Sequence, residues 1–332
     1  LSNNEQSIAE QTRFGVIGTG RITRRVVAEL QSTPGVQVTA IASRTADRAQ
    51  WYADQYGIGN AVQGYAALLD RDDVDAVYIA LPPSLHAEWT IAAAEAGKHV
   101  LCEKPLAQSL PQAEQMAAAC RSHAVRWLDA TGWLHHPRTT AMRQWLDAKL
   151  LGKVGHISVS VSFYQPFQSN DHRLDMSLGG GCLLDLGWYA AGLLRFVTGQ
   201  KPTRVFADAM IVEGVPQRVT AMLWFEDHIT ASLSCGFDTA TRKWFEVAGT
   251  DASLVCDDFT RPWAEKPARC WIHERSGQVK TESFDGQQEQ AMITCLASEE
   301  PLEDFHAQAL DTQHMLDVMI ESIETQQSVT IQ

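Results

Sequence analysis

Gly18 and Gly20 stand two residues apart, behind the apolar run Phe14-Gly15-Val16-Ile17 and ahead of a helical pattern through Val26, Val27 and Leu30. Residues of this type in this place suit phosphate binding. The first glycine allows a tight turn, the second lets the backbone approach a pyrophosphate, and the following helix, opening at Arg21 and Ile22, offers N–H donors and the positive end of its dipole. Thr23 takes the third position, usually glycine or alanine, and its bulk would set helix and strand slightly further apart. A glycine-rich turn by itself can be only a turn, and it is the strand before it and the helix after it that point to a nucleotide. About 20 residues further on, an NAD site wants an acidic residue for the ribose 2′-hydroxyl. Ser43 and Arg44 stand there instead. A hydroxyl and a guanidinium suit a 2′-phosphate, so the pattern favours NADP and leaves NAD open; as an ordinary surface arginine, Arg44 would only solvate a loop. Asp185 and Tyr189, after Gly179-Gly180-Gly181, are four apart, so on a helix they share a face and can address one substrate. A tyrosine can take the proton of a hydroxyl if a nearby ammonium stabilises its phenolate. Without one it is a half-buried helix aromatic with its hydroxyl satisfied.

The chain that must position these residues has 332 of them, enough for about two domains. Its 45% apolar and 20% charged composition is that of an ordinary globular protein rather than a disordered or fibrous one. With 40 acidic against 27 basic residues the net charge is −13, which repels nucleic acid and anionic membrane surfaces and makes a small molecule the expected partner. The seven cysteines are scattered and form no Cys-x-x-Cys pair, which indicates neither a disulfide framework nor a zinc knuckle and suits a reducing, cytoplasmic compartment. No metal site is expected: His135-His136-Pro137 could line a cleft, but adjacent histidines diverge. No apolar run approaches the about 18 residues of a membrane span. Residues 1–12 are polar with no signal-like run, although a chain starting at Leu1 is also compatible with a removed leader.

Strand and helix alternate through the first part: β runs at 14–17, 36–42, 76–80, 99–102 and 126–131, with helical patterns between them. Fully apolar strands in βα units imply a parallel sheet covered on both faces, a doubly wound α/β domain over 13–131. After a helix around 139–150 the rhythm becomes longer strands, at 154–164, 204–212, 219–225, 229–236, 244–249 and 253–256, joined by short turns. This predicts an α+β domain over 132–332 with a large, mainly antiparallel, open-faced sheet. A helix opens at the triple glycine and runs to about 197, and another covers about 307–323.

Gly18-Thr19-Gly20, then Asp75-Ala76-Val77-Tyr78-Ile79-Ala80-Leu81-Pro82 with His86 after it, then Cys102-Glu103-Lys104-Pro105-Leu106-Ala107, resemble the first domain of the Gfo/Idh/MocA oxidoreductases. Arg173-Leu174-Asp175, the segment from Gly179 to Tyr189, and Ala248-Gly249-Thr250 carry the resemblance through nearly the whole chain from about residue 13. The branch it most resembles holds dihydrodiol dehydrogenases, NADP-dependent D-xylose dehydrogenases and glucose–fructose oxidoreductase. The resemblance implies a Rossmann domain and hydride transfer at the cleft between the two domains, with Leu81, Pro82, His86, Glu103 and Lys104 on the cofactor side. It implies that Lys104, turned into the cleft by a cis bond to Pro105, bonds the nicotinamide ribose or the substrate hydroxyl. Lys104 would then tune Tyr189 as proton acceptor, with Asp185 orienting a sugar, polyol or cyclic diol. Tyr189 stands where inositol-type relatives carry histidine, which argues against inositol oxidation. Arg173 would hold substrate or steady its own loop through Asp171 or Asp175. Trp188 and Tyr164 could stack on substrate, with core packing the ordinary use for both. Two other functions share this fold: a non-catalytic dinucleotide-sensing regulator, and an enzyme that recycles tightly held cofactor between two sugars. The open sheet needs a cover, so a homodimer or homotetramer joined through it is expected.

Overall fold

The computed structural model describes residues 11–263 and 266–331. Residues 1–10, most of the polar start read above, lie outside the described residues. The chain alternates β1 (Thr12–Ile17), α1 (Arg21–Ser32), β2 (Val36–Ser43), α2 (Ala46–Tyr56), β3 (Asn60–Gln63), α3 (Tyr65–Leu69), β4 (Ala76–Ile79), α4 (His86–Glu95), β5 (His99–Cys102), α5 (Leu110–Ser122) and β6 (Trp127–Asp129). The six strands form one parallel sheet in the order β3-β2-β1-β4-β5-β6. The order reverses between β1 and β4, whose carboxyl ends open the crevice where such sheets take their ligands. Successive residues enter opposite layers: Phe14, Val16, Tyr78 and Leu101 on one side, Ile17, Val77, Ile79 and Val100 on the other. Both faces are covered, which is why β4 reads as an unbroken apolar run.

The second part continues through α6 (Pro137–Asp147), β7 (Val154–Ser162), α7 (Trp188–Thr198), β8 (Arg204–Val212), β9 (Val215–Trp224), β10 (Thr230–Gly236), β11 (Arg242–Gly249), β12 (Ala252–Cys256), β13 (Ala268–Glu274), β14 (Val279–Phe284), α8 (Gln288–Ala297), α9 (Glu303–Thr325) and β15 (Val329–Thr330). Its nine strands lie in the order β14-β13-β12-β11-β7-β10-β9-β8-β15. Only β7 and β10 pair in parallel; the other neighbours are antiparallel. In β7, Ile157, Val159 and Val161 turn inward and Ser158 and Ser160 are half-buried on the opposite face. α7 and α9 cover the inner side. Phe206 on β8 and Met222 on β9, cross-strand partners, stay exposed.

Four elements escape the sequence reading. β14 is exposed almost throughout and has no apolar face to betray it, and β15 has two residues; β13, whose buried positions alternate, and α8, with Met292, Ile293 and Leu296 buried, carry apolar patterns that were there to read. α8 packs against α1, and its Met292, Ile293 and Leu296 enter the layer of Phe14 and Val16. β9 also starts at Val215 rather than 219, because the turn residues Glu213 and Gly214, both at positive φ, join it tightly to β8.

Candidate active site

At the end of β1, Gly18 takes φ 104°, and a Cβ there would lie 2.4 Å from the Ala80 carbonyl oxygen. Glycine alone lets the turn pass the end of β4 this closely. Gly20 is the N-cap of α1, and no side chain caps the helix, so the amides opening at Arg21 and Ile22 face the crevice without a side-chain acceptor. Thr23, awkward for the usual pattern, is fully buried and donates its hydroxyl to the Gly18 carbonyl at 3.2 Å. The hydroxyls of Thr19 and Ser43 stand 3.4 Å apart, with Ser43 buried at the end of β2 and Arg44 exposed just beyond. Arg48 completes this corner. Its Nε donates to Thr19 Oγ1 at 2.7 Å and its Nη2 to the Thr19 carbonyl at 2.8 Å. The sequence reading passed over Arg48; its signal is a second guanidinium four residues after Arg44, one turn along α2.

Past β4, Leu81 and Pro82 are half-buried, while His86 is fully buried at the start of α4. Its Nδ1 lies 2.8 Å from the Pro105 carbonyl oxygen and its Nε2 2.9 Å from that of Leu81, and burial lowers its pKa. The imidazole therefore ties the turn after β4 to the turn after β5, where Lys104–Pro105 is cis. Between them Glu103 is buried: Tyr78 donates its hydroxyl to Oε1 at 2.6 Å, the Lys104 amide donates to Oε2 at 3.3 Å, and burial raises the carboxyl against those partners.

Lys104 leaves this turn with its side chain 13% exposed and meets Asp185 at 12%. Nζ donates to Asp185 Oδ1 at 2.6 Å and to the Asp185 carbonyl oxygen at 2.8 Å. Arg173 Nε donates to Oδ2 at 2.7 Å, and Arg173 Nη1 to Asp171 Oδ1 at 3.2 Å. Of the two loop partners open for Arg173, Asp171 is the one used; Asp175 instead accepts from Ser177. Burial opposes ionisation of Asp185, but Lys104 and Arg173 overcome it and hold the carboxyl well below the usual range. Burial likewise works against the Lys104 ammonium, and Asp185 and Tyr189 outweigh it to raise its pKa.

Asp185 does not lie in a regular α-helix as its spacing from Tyr189 predicts. Leu183–Gly187 is a π-helical segment leading directly into α7, a wider turn of a kind often found at functional sites. The two residues still converge, because Lys104 Nζ lies 4.7 Å from the centre of the Tyr189 ring. The triple glycine makes room for this: a Cβ on Gly180 would lie 2.8 Å from the Arg173 carbonyl oxygen and 2.7 Å from that of Asp175. Tyr189 also departs from expectation in its electrostatics. Burial raises its phenol more than the Lys104 ammonium lowers it, and Glu103 and Asp185 add to the rise. The phenol is thus held protonated at neutral pH.

Several nearby residues have other uses. Trp188 is buried and donates Nε1 to Thr131 Oγ1 at 2.7 Å. Tyr164, expected in the core, is 72% exposed, because the segment after β7 leaves the sheet. His135 stacks on Phe305, and His136 caps α6 by accepting from the Arg138 amide at 3.0 Å. Among the described residues no group of three or more His, Cys, Asp or Glu side chains could hold a metal ion. No described helix is long and apolar enough to cross a membrane, and all seven cysteines are free thiols.

Comparison with known proteins agrees with this layout. Residues 12–129 match the family described as oxidoreductase family, NAD-binding Rossmann fold, and residues 139–255 match the GFO/IDH/MocA C-terminal domain. The chain is 39% identical, over 78% of its length and 79% of the relative's, to a dTDP-3,4-didehydro-2,6-dideoxy-alpha-D-glucose 3-reductase of Actinomadura kijaniata. It is 35% identical, over 82% of its length and 83% of the relative's, to a D-xylose 1-dehydrogenase (NADP(+)) of Haloferax volcanii. A 3-ketoreductase of Actinomadura kijaniata, solved with NADP and TDP-benzene, superposes with a TM-score of 0.87 at 31% identity, covering 94% of this chain and 98% of its own.

Proposed function

The chain belongs to the Gfo/Idh/MocA family of oxidoreductases, and from that premise we propose that it moves hydride between NADP and a carbinol or carbonyl carbon of a sugar, polyol or cyclic diol. The observation that carries this reading is the meeting of Lys104, Asp185 and Tyr189 at the crevice side of the parallel sheet. Those groups are held charged or protonated as carbonyl–carbinol chemistry needs.

The residues fit a dinucleotide. The tight turn at Gly18, the open side of Gly20, where a Cβ would meet only the Ala80 carbonyl oxygen at 3.8 Å, the uncapped start of α1, and the Ser43, Arg44 and Arg48 corner suit a pyrophosphate and a 2′-phosphate. The cofactor supplies or accepts the hydride. Around it His86 positions the Leu81-Pro82 and Lys104-Pro105 turns. Asp185, fixed between Lys104 and Arg173, presents its carboxylate to substrate hydroxyls. In reduction, Tyr189 gives its phenolic proton to the carbonyl oxygen, and Lys104 stabilises the phenolate left behind; in oxidation, the phenolate takes the carbinol proton. With NADP and a panel of sugars, polyols and diols, Lys104→Met and Tyr189→Phe should each lower turnover by about two to four orders of magnitude. Near-normal turnover in both would overturn the assignment.

A homo-oligomer covers the second sheet in this reading, supported by the exposed Phe206 and Met222 on neighbouring strands. Light scattering of Met222→Lys against the unaltered protein tests that contact, with a shift toward monomer expected. Free thiols fit a cytoplasmic setting.

A further inference from the structure

A cavity of about 420 Å³ lies beside the catalytic groups, between the segment after β7 and the turn joining β8 to β9. It adjoins them through Arg173, whose guanidinium stands 5.6 Å from the centre of the Phe167 ring while its Nε holds Asp185. Leu174, next in the chain, lines the cavity. Between the lining residues Val215 and Gln217, Pro216 packs against Gly181, four residues before Asp185. A substrate with one end at Asp185 and Tyr189 would therefore have its other end over Phe167 and within this space.

The walls state what that end is. Tyr164 and Phe167 give aromatic surface, with Phe237 edge-on to Phe167 at 4.9 Å. Gln165, Gln217 and Glu213 give amide and carboxylate groups. Among the described residues lining the cavity none is cationic, and its two ionisable acids are Glu213 and Asp238. Arg218, alongside, already donates to Asp238 Oδ2 at 2.8 Å, and Arg173 is engaged by Asp185 and Asp171. Phosphate groups are held by arginine, lysine or helix N-termini, and here they would face a carboxylate instead. A flat, neutral, hydroxyl-rich ring meets these walls without such a penalty, laying its C–H face on the aromatics and its hydroxyls against the amides and Glu213.

We propose that this cavity is a subsite for a second, neutral glycosyl unit, so that the enzyme acts on one end of a di- or oligosaccharide rather than on a nucleotide-linked sugar. The inference rests on the sugar-oxidoreductase reading above and names its substrate class. Calorimetry on the NADP-loaded protein tests it with D-glucose, cellobiose, D-xylose, xylobiose and dTDP-glucose. The expected result is that a disaccharide binds at least about tenfold tighter than its own monosaccharide, the scale of one well-packed contact, and that dTDP-glucose gains nothing over D-glucose. Tyr164→Ala should bring the disaccharide-to-monosaccharide affinity ratio close to one. Equal binding of mono- and disaccharides, no binding of either, or tightest binding by dTDP-glucose would overturn the subsite. NADP-dependent turnover, measured in parallel, separates the two levels. Turnover of monosaccharides with no disaccharide advantage in binding sinks the subsite alone. Absence of turnover on every sugar, polyol and diol sinks the broader reading, and the binding ratio still decides the subsite.

Discussion

Lys104 holds Asp185 at two points, donating from one Nζ to the carboxylate Oδ1 and to the main-chain carbonyl oxygen. The second contact fixes the backbone of a π-helical turn as well as its side chain. Lys104 follows β5 of the parallel sheet and Asp185 leads into α7, which covers the mixed sheet, so this pair ties the two parts of the chain together. Because Arg173 occupies the other carboxylate oxygen, the charge on Asp185 answers two cations at once.

Removing that charge should therefore cost both stability and rate. Asp185→Asn leaves two mostly buried cations with a neutral partner, a loss of about 3 kcal/mol, and turnover should fall with it. The pH dependence has a definite sign. A carboxyl held below its ordinary pKa near 4 contributes stability that is full above that value and is lost as pH falls through the folded-state value. Urea denaturation should find the gap between Asp185→Asn and the unaltered protein constant from pH 6 to 8 and shrinking below about pH 4. A gap as wide at pH 2 as at pH 7 would contradict the ion-pair account.

Tyr189 should make the two directions of reaction differ in pH. Its phenol lies above the ordinary value near 10, so it is protonated throughout the neutral range. Carbonyl reduction, which uses the protonated form, should run at a level rate through neutral pH and decline only as pH rises through that raised pKa. Carbinol oxidation uses the phenolate and should climb with pH toward the same region. Steady-state profiles in both directions check this. A base-side decline of reduction centred near pH 7 would place the proton on another group.

The Ser43 corner should decide between the two nicotinamide cofactors. Arg44 is exposed and Arg48 is steered by two bonds to Thr19, so the second guanidinium is the pre-positioned one. A charge-assisted hydrogen bond contributes about 1.5–3 kcal/mol. Arg44→Ala and Arg48→Ala should each weaken NADPH about tenfold to a hundredfold while changing NADH little, as read by fluorescence titration. Equal weakening of both cofactors by Arg48→Ala would mean that it serves the Thr19 loop and not the 2′-phosphate.

The difference between Arg44 and Arg48 also shows how far the sequence could be read. Gly18 and Gly20 are legible because a backbone turn against Ala80 admits only glycine, and β4 because a strand covered on both faces must be apolar. Lys104, Asp185 and Tyr189 are legible because their neighbouring motifs resemble a known family. Arg48 is only faintly legible: its one signal is its place four residues after Arg44, a spacing that solvated arginines share, and only folding brings Thr19 to it. The π turn at Asp185 is hidden for a related reason, since five buried residues in a row carry no period that separates an i+4 from an i+5 helix. Arg173 shows a third limit. Its nearest acids in sequence are Asp171 and Asp175, and the partner that matters for chemistry lies twelve residues away across a glycine-rich loop.

Asp129 gives a last test, from a buried acid that the proposed chemistry leaves unused. It ends β6, 4% exposed, and accepts from the Thr131 hydroxyl, which in turn accepts from Trp188 Nε1, the residue just before Tyr189. Burial lifts its carboxyl to about 6 despite those donors. The sign is opposite to that of Asp185. The folded protein keeps a proton that the unfolded chain releases near pH 4, so this group contributes most below pH 4 and loses that contribution as pH rises to about 6. Two pKa units correspond to about 3 kcal/mol. Asp129→Asn has no proton to lose, and its amide oxygen can still accept from Thr131. Its stability relative to the unaltered protein should therefore rise by up to about 3 kcal/mol between pH 4 and pH 6 and then stay level. A difference that does not change with pH over that range would show that Asp129 is not held above its ordinary pKa, and that the start of α7 does not depend on its protonation.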